Sequence, residues 1–469
     1  MAKSVVRDDE RGFSYTDLFA GVGGFAAALN ALGGKHVLSA EIDEAASKTY
    51  LENFGVNPQA DVRDLAGDKG IITISTDVVA GGFPCQPFSK SGAQRGTMDK
   101  VRGTLFENIL LFVQQNKPQI IILENVRNLV GPKHINDFNE IVDQLRNIGY
   151  RISDNPSVIS PHLLPKHFGG RPQSRPRVYI TATFNPSENS LEKWESPEPA
   201  VTPHGLAARF GKVTWKLAED LPLLKPAQAK NHQISTEELN WLQVWEKFLD
   251  ASIRNGVDDK LPGFPLWTDV WFRPRSSEFS GDVPNWKAEI IRKNRRFYRD
   301  NKIWIDDWKS DNPEIVEFPK SRRKFEWQAG ETDSIWKCAI QLRPSGVRVK
   351  ELSYLPALVA VNQSSIIGPQ KRRITVRESA RLQGFPEAFS LGSSGVPAKQ
   401  AYKQMGNAVH IGSAYFVLRE HVIRDSDILC LTESGKKIME SVLGAPNNPD
   451  EVFETWGGAV IQETKLLPK

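Results

Sequence analysis

The chain predicts an α/β protein, a doubly wound and mostly parallel sheet, accompanied by a second, smaller and irregular domain. Three observations carry that expectation. Short apolar runs alternate with helical apolar spacing across residues 13–183, the pattern of strands joined by crossover helices. Tryptophan is absent before Trp194, yet ten of the twelve lie between Trp215 and Trp336, so the middle of the chain has a composition of its own. And 469 residues exceed a single core, because chains divide into domains beyond roughly 250–300 residues. The expected divisions are 1–183, 184–373 and 374–469.

The elements follow in order. Phe13–Phe19 is an apolar strand running into the glycine-rich turn Ala20–Gly24, and Phe25–Leu32 continues as a helix. His36–Ile42 is the next strand. Asp77–Gly81 and Gln119–Leu123 are compact apolar runs, separated by the helical Phe106–Asn116. Ile135–Ile148 has helical spacing and stops at Gly149, a suitable C-cap. Val178–Thr183 closes the region as a strand. Proline punctuation then breaks the middle into short segments, and a third texture begins near Ile374. There Arg377–Pro386 reads as helix and turn, and Gln404–Val409 as a polar turn before a helix-like stretch.

Composition narrows the classes. Hydrophobic residues at 40% and charged residues at 25% are those of an ordinary water-soluble globular protein. No apolar run reaches the length that spans a bilayer. Residues 1–15 carry mixed charge and no apolar stretch, so a secretory signal is not expected and the cytoplasm is the expected compartment. Three cysteines, Cys85, Cys338 and Cys430, make neither a disulfide framework nor a zinc site, and no metal is expected. A net charge of +4 permits a polyanionic partner without requiring one.

Four segments carry chemistry. In Asp17–Phe25 (DLFAGVGGF), Gly21, Gly23 and Gly24 let a strand turn into a helix and let a ligand approach the backbone. Glu41 and Asp43 follow the next strand, where a carboxylate would hold a ribose diol. A tight turn in an α/β core is the alternative. In Gly81–Ser89 (GGFPCQPFS), Cys85 sits after a strand between two prolines, in a loop rather than an apolar run. Its thiolate would be a strong nucleophile there, while a structural cysteine remains the other reading. Glu124, at the end of the following strand, would come beside Cys85 in a parallel sheet and could hydrogen-bond or protonate a ring; a helix-capping or surface acid is the other reading. In Gln173–Arg177 (QSRPR), alternation puts Gln173, Arg175 and Arg177 on one side, and guanidinium forks suit phosphates and base carbonyls, with an exposed strand edge as the alternative.

Taken in order and spacing, these segments resemble the cytosine-5 DNA methyltransferase family. Asp17–Phe25 is similar to its cofactor motif, Phe83–Phe88 to its catalytic loop, Glu124–Val126 to its acidic partner, and Gln173–Arg177 to its two-arginine strand. Arg377–Pro386 and Gln404–Val409 resemble its last two motifs. The resemblance implies a sheet of the S-adenosylmethionine-dependent methyltransferase type, completed by 374–469, with 184–373 as the target-recognition domain. It implies Cys85, Glu124, Arg175 and Arg177 as catalytic residues. S-adenosylmethionine, leaving as S-adenosylhomocysteine, would meet Phe19, Gly21, Gly23, Gly24, Glu41, Ile42, Asp61, Pro84, Leu105, Asn407 and Val409. At Asp61 the chain departs from the family's commoner Gly-Asp-Ile pattern. Ser89, Ser91 and Arg95 in a mobile loop, and Arg292, Lys293, Arg295, Arg296, Arg322, Arg323, Arg343 and Arg348 in the middle domain, would meet double-stranded DNA. The middle tryptophans are expected in that domain's core.

The implied reaction is methylation of carbon 5 of a cytosine within a specific duplex sequence, through a Cys85 adduct and base flipping. A cognate restriction endonuclease would act on the same sequence without direct contact, and a monomer is expected. Two rivals remain: a transfer-RNA cytosine-5 methyltransferase, and a catalytically idle DNA-binding regulator on the same fold.

Overall fold

The computed structural model describes residues 12–67, 70–84, 105–185, 196–257, 261–273, 283–358, 365–391 and 395–453. They fall into two units, Met1–Thr214 with Ser379–Lys469, and Trp215–Glu378.

In the first unit β1 (Phe13–Leu18) enters a turn in which Phe19, Gly21 and Gly23 all have positive φ, at 57°, 56° and 92°. Then come α1 (Gly24–Ala31), β2 (Gly34–Ala40) and α2 (Glu44–Phe54), the last capped by Asp43, whose carboxylate accepts from Ala46 N at 3.0 Å. β3 (Val78–Gly81), α3 (Leu105–Asn116), β4 (Ile120–Val126), α4 (Ile135–Asn147), β5 (Tyr150–Ile152), β6 (Ser157–Ile159) and β7 (Arg177–Phe184) follow. The strand order is β2-β1-β3-β4-β7-β5, with β6 also beside β7. β1, β2, β3 and β4 pair in parallel, while β7 runs antiparallel to each neighbour. β3 and residues 120–123 of β4 are buried, as central strands covered on both faces must be. From β1 the chain first goes out to β2 and then crosses back to β3. That reversal opens a crevice at the carboxyl ends of β1 and β3.

Residues 196–214 belong to this unit although their proline-rich texture predicts the next domain. Helix α5 (Pro203–Phe210) stacks Phe210 on Phe168 and Phe416, with ring centres 4.9 and 6.1 Å apart.

The second unit contains α6 (Thr236–Arg254), β8 (Leu266–Trp267), α7 (Asn285–Asp300), α8 (Lys302–Asp311), β9 (Lys324–Gln328), β10 (Cys338–Arg343), β11 (Gly346–Glu351), β12 (Ile366–Ile367) and β13 (Arg372–Arg373). Its sheet has the order β8-β9-β11-β10-β12-β13. One face carries Phe325, Trp327, Ile340, Leu342, Val347 and Val349 into a core with Trp245, Phe248, Trp271, Trp304 and Trp308. Trp245 stacks on Phe325 at 4.6 Å. The tryptophans are therefore mostly core; Trp286, 62% exposed, is not. Asn294 is fully buried and fastens α7 inward, accepting from Trp267 N at 2.7 Å and donating to Pro265 O at 2.9 Å.

The chain then returns to the first unit with α9 (Ala398–Asn407), α10 (Ile411–Arg424) and α11 (Glu433–Gly444). The turn expected at Gln404–Val409 is narrower, because α9 runs on to Asn407 and His410 Nδ1 already caps α10 by accepting from Ser413 N at 2.9 Å. No helix among the described residues is long and apolar enough to cross a membrane.

Candidate active site

The crevice holds a cavity of about 440 Å³, formed within the first unit. The glycine turn builds one wall. Gly21 N donates to Glu41 Oε2 at 2.8 Å and Asp43 N to Glu41 Oε1 at 2.7 Å, so two backbone donors fix the Glu41 carboxylate at the mouth. Each of its oxygens keeps a lone pair for a further donor. A side chain at Gly21 would meet nothing within 4 Å, and Gly21 is part of the cavity lining. One at Gly24 would stand 2.4 Å from Val409 O, so that glycine serves close packing; Gly23 lies against Phe54. Phe19 and Ile42 supply apolar surface, Ile42 being 68% exposed.

The inner end is built by β3, β4 and β7. Parallel register sets Gly81 beside Leu123, so Gly82 passes the Glu124 carboxylate, and a Cβ on Gly82 would stand 3.7 Å from its Oε2. Asn125 Nδ2 donates to Phe83 O at 3.1 Å and steers the chain towards Pro84, which lines the cavity. Cys85 follows Pro84 directly but lies outside the described residues, as do Ser89, Ser91 and Arg95.

Glu124 is a strand residue rather than a loop acid. Antiparallel register puts it opposite Tyr179, and its Oε1 lies 2.9 Å from Arg177 Nε, with only 12% of the carboxylate side chain exposed. Burial raises its pKa, opposed by the charges of Arg177 and Arg175. Arg175 is 2% exposed and donates from one nitrogen to Gly406 O and Ala408 O, each at 2.9 Å. Burial, then the neighbouring Arg177, pulls its pKa down to about 9. So the two arginines divide: Arg177 faces Glu124, whereas Arg175 holds the return segment.

Asn407 lines the cavity; Val409 is buried behind it. Neither Asp61 nor Leu105 reaches the lining. The Asp61 carboxylate caps residues 62–65 and is forked to Arg63 Nε at 3.0 Å. Motif reading missed Gln400 and Lys403, which line the cavity from α9 beside Gln404, the first residue of the last motif. Lys403 and Gln400 bond Asp43 at 3.0 and 3.2 Å. Burial alone would raise the Asp43 pKa, but Lys403 and the capped Ala46 N–H bring it below the ordinary value. Polar spacing of three and four residues along α9 was the available signal.

In the second unit Arg292, Lys293, Arg295 and Arg296 are exposed on α7, fixed outward by the inward Asn294. Arg322 lies over the Trp241 ring at 5.1 Å and donates to Arg343 O. Arg323 departs from the surface role expected of it. It is 6% exposed, 3.2 Å from Asp269, and donates to Val316 O at 2.8 Å. Arg343 and Arg348 lie on the polar face of the sheet.

A glycine-walled cavity at the switch point, with a carboxylate at its mouth and an acid–guanidinium pair inside, defines a doubly wound ligand-binding enzyme. The family model described as C-5 cytosine-specific DNA methylase matches residues 13–422, and the chain belongs to that family as a DNA cytosine-5 methyltransferase. It is 38% identical to the Type II methyltransferase M.AluI of Cellulosimicrobium cellulans, over 95% of this chain and 98% of that one. It is 38% identical to the Type II methyltransferase M.HpaII of Haemophilus parainfluenzae, over 40% of this chain and 50% of that one.

Proposed function

We propose that the enzyme methylates carbon 5 of one cytosine in a specific double-stranded DNA sequence, using S-adenosylmethionine, a covalent Cys85 adduct and a flipped-out base. The observation that carries this reading is the buried Glu124–Arg177 pair. It closes the inner end of a cavity whose mouth holds Glu41 and whose chain leads through Pro84 into Cys85. The residues fit the cofactor. Glu41 has lone pairs for a ribose diol, Ile42 and Phe19 offer apolar surface to a purine, and Gly21 leaves the wall open to close approach. S-adenosylmethionine bound there would supply an electrophilic methyl group and leave as S-adenosylhomocysteine.

The remaining steps belong to the chain's own residues. Carbon 5 of cytosine is a poor nucleophile, so the Cys85 thiolate adds at carbon 6 and pushes electron density to carbon 5. Glu124, in its protonated form, donates to ring nitrogen 3, while Arg177 orients it and meets the ring carbonyl. Arg175 fixes Gly406 and Ala408 and also lines the cavity, within reach of the base and its neighbouring backbone. After methylation a base removes the carbon 5 proton, the carbon 6–sulfur bond breaks and the thiolate returns. Stacking inside the duplex would block all of this, so the cytosine must leave the helix. Phosphates would be met by Arg292, Lys293, Arg295 and Arg296 on α7.

The Type II names of the relatives support a modification enzyme of the restriction-modification kind, working in the cytoplasm beside a cognate endonuclease. Duplex DNA containing 5-fluorocytosine tests the mechanism, because fluorine at carbon 5 cannot leave as a proton does. The wild type should accumulate a protein–DNA adduct stable to denaturant, and Cys85→Ser should not. An adduct in both, or in neither while methylation proceeds, would remove Cys85 from the mechanism.

A further inference from the structure

The face of the second unit's sheet turned away from its tryptophan core is built from charge. Register sets Glu326 beside Arg348 on parallel β9 and β11, and Arg348 opposite Gln341 on β10. Two residues along from Gln341, Arg343 points the same way, since alternate strand positions share a face. Glu326 holds the Arg348 guanidinium bidentately, with Nε at 2.9 Å and Nη2 at 2.8 Å. Arg343 comes only to within 3.5 Å of the same carboxylate and makes no side-chain hydrogen bond among the described residues. These side chains border a cavity of about 650 Å³, edged by the exposed Trp286 and by Lys324. Burial, then the neighbouring Arg348 charge, lowers the pKa of both Arg343 and Lys350. Three guanidinium and ammonium groups are thus crowded and partly dry around one carboxylate.

Such an arrangement differs from the exposed cations of α7. Here Glu326 offsets part of the positive charge, so the cluster is a weaker phosphate magnet than a run of unopposed cations and leaves planar donors to face a neutral base edge. Glu326 commits the Arg348 guanidinium, so the Arg343 guanidinium beside it keeps its planar fork for two acceptors at once. Guanine presents such a pair, N7 and O6, in the major groove. Resting on the DNA methylation proposed above, we infer that Arg343 is a specificity-determining residue that reads guanine N7 and O6 in the recognition sequence, with Glu326 and Arg348 positioning it.

The test replaces each guanine of the methylated sequence in turn by 7-deazaguanine, which loses N7 but keeps base pairing and every phosphate. With the wild type, kcat/KM should fall roughly 5- to 150-fold at one guanine. Arg343→Lys keeps the charge but replaces the planar fork by a point charge, so it should distinguish guanine from 7-deazaguanine at that position less sharply. Its affinity for unrelated duplex DNA, and the salt dependence of that affinity, should stay as in the wild type. Glu326→Gln should weaken the same discrimination with non-specific affinity unchanged or higher. A wild type indifferent to every 7-deazaguanine, or an Arg343→Lys enzyme that discriminates as before, would overturn the inference. So would a uniform loss of affinity across all sequences, which marks a phosphate contact. A wild type that methylates no DNA at all would instead overturn the reading on which this one rests.

Discussion

Arg177 Nε lies 2.9 Å from Glu124 Oε1, across two antiparallel strands whose register sets Arg177 opposite Val126 and Tyr179 opposite Glu124. The pair has two opposed effects. Burial favours the neutral acid, while Arg177 and Arg175 favour the carboxylate, and burial prevails. Glu124 therefore keeps its proton to a higher pH than an exposed glutamate.

Kinetics should report that proton. As pH rises through the raised Glu124 pKa, kcat/KM should decline as the donor is lost. Glu124→Gln should lower kcat/KM by about 10²- to 10⁴-fold, the usual span for a general acid, and should lose that limb of the profile. Arg177→Met removes the nearer cation, so the Glu124 pKa should climb further and the limb move to higher pH. A pH–rate series on the three proteins checks both; an unmoved limb in Arg177→Met contradicts the electrostatic account.

Arg175 serves the backbone. Arg175→Met leaves the carbonyls of Gly406 and Ala408 without their donor, which should cost about 3 kcal/mol in urea unfolding. Because Gly406 and Asn407 line the cavity, S-adenosylmethionine binding by titration calorimetry should weaken as well.

The glycines should separate by what faces them. Gly24→Ala drives a methyl to 2.4 Å from Val409 O, a backbone atom, and should destabilise by about 1–3 kcal/mol, as overpacking does. Gly21→Ala meets open space but must hold φ near +56°, a strain of roughly 1–2 kcal/mol. Its new methyl projects into the cavity, so cofactor affinity should fall more than for Gly24→Ala. Thermal unfolding with and without S-adenosylmethionine distinguishes the two.

Acid should unfold the first unit partly through His36. Burial lowers its pKa from 6.5 to about 4, so the unfolded chain binds the proton first. The stabilisation is whole above the unfolded pKa, is lost as pH falls from about 6.5 to about 4, and amounts to roughly 3 kcal/mol. Tm measured between pH 7 and 4 should fall less steeply for His36→Phe than for the wild type. Equal slopes would contradict it.

Much of this was legible in the chain. Apolar runs gave β1, β3 and β4 because central parallel strands are apolar throughout, and β7 because it too is buried along nearly its whole length; the glycine turn was visible because Gly21 and Gly23 answer a local demand for positive φ. Other features needed tertiary structure. Glu124 looks like a residue after a strand, since its polarity ends the apolar run, yet β4 extends to Val126 through pairing with β7. Arg323 reads as part of a basic patch; only its burial beside Asp269 withdraws it. The division of labour between Arg175 and Arg177 depends on which carbonyls lie nearby, and those come from the end of α9 and the residue that caps it, more than two hundred positions away in sequence. Lys403 and Gln400 were hidden for the same reason.

The most direct measurement of the central claim is the product itself. Duplex DNA and transfer RNA are each incubated with the enzyme and S-adenosylmethionine, digested to nucleosides and analysed by mass spectrometry. The duplex should yield 5-methyldeoxycytidine, and the RNA should gain no methylated nucleoside. Methyl groups on adenine or on the cytosine amine, or transfer to the RNA alone, would contradict the central claim.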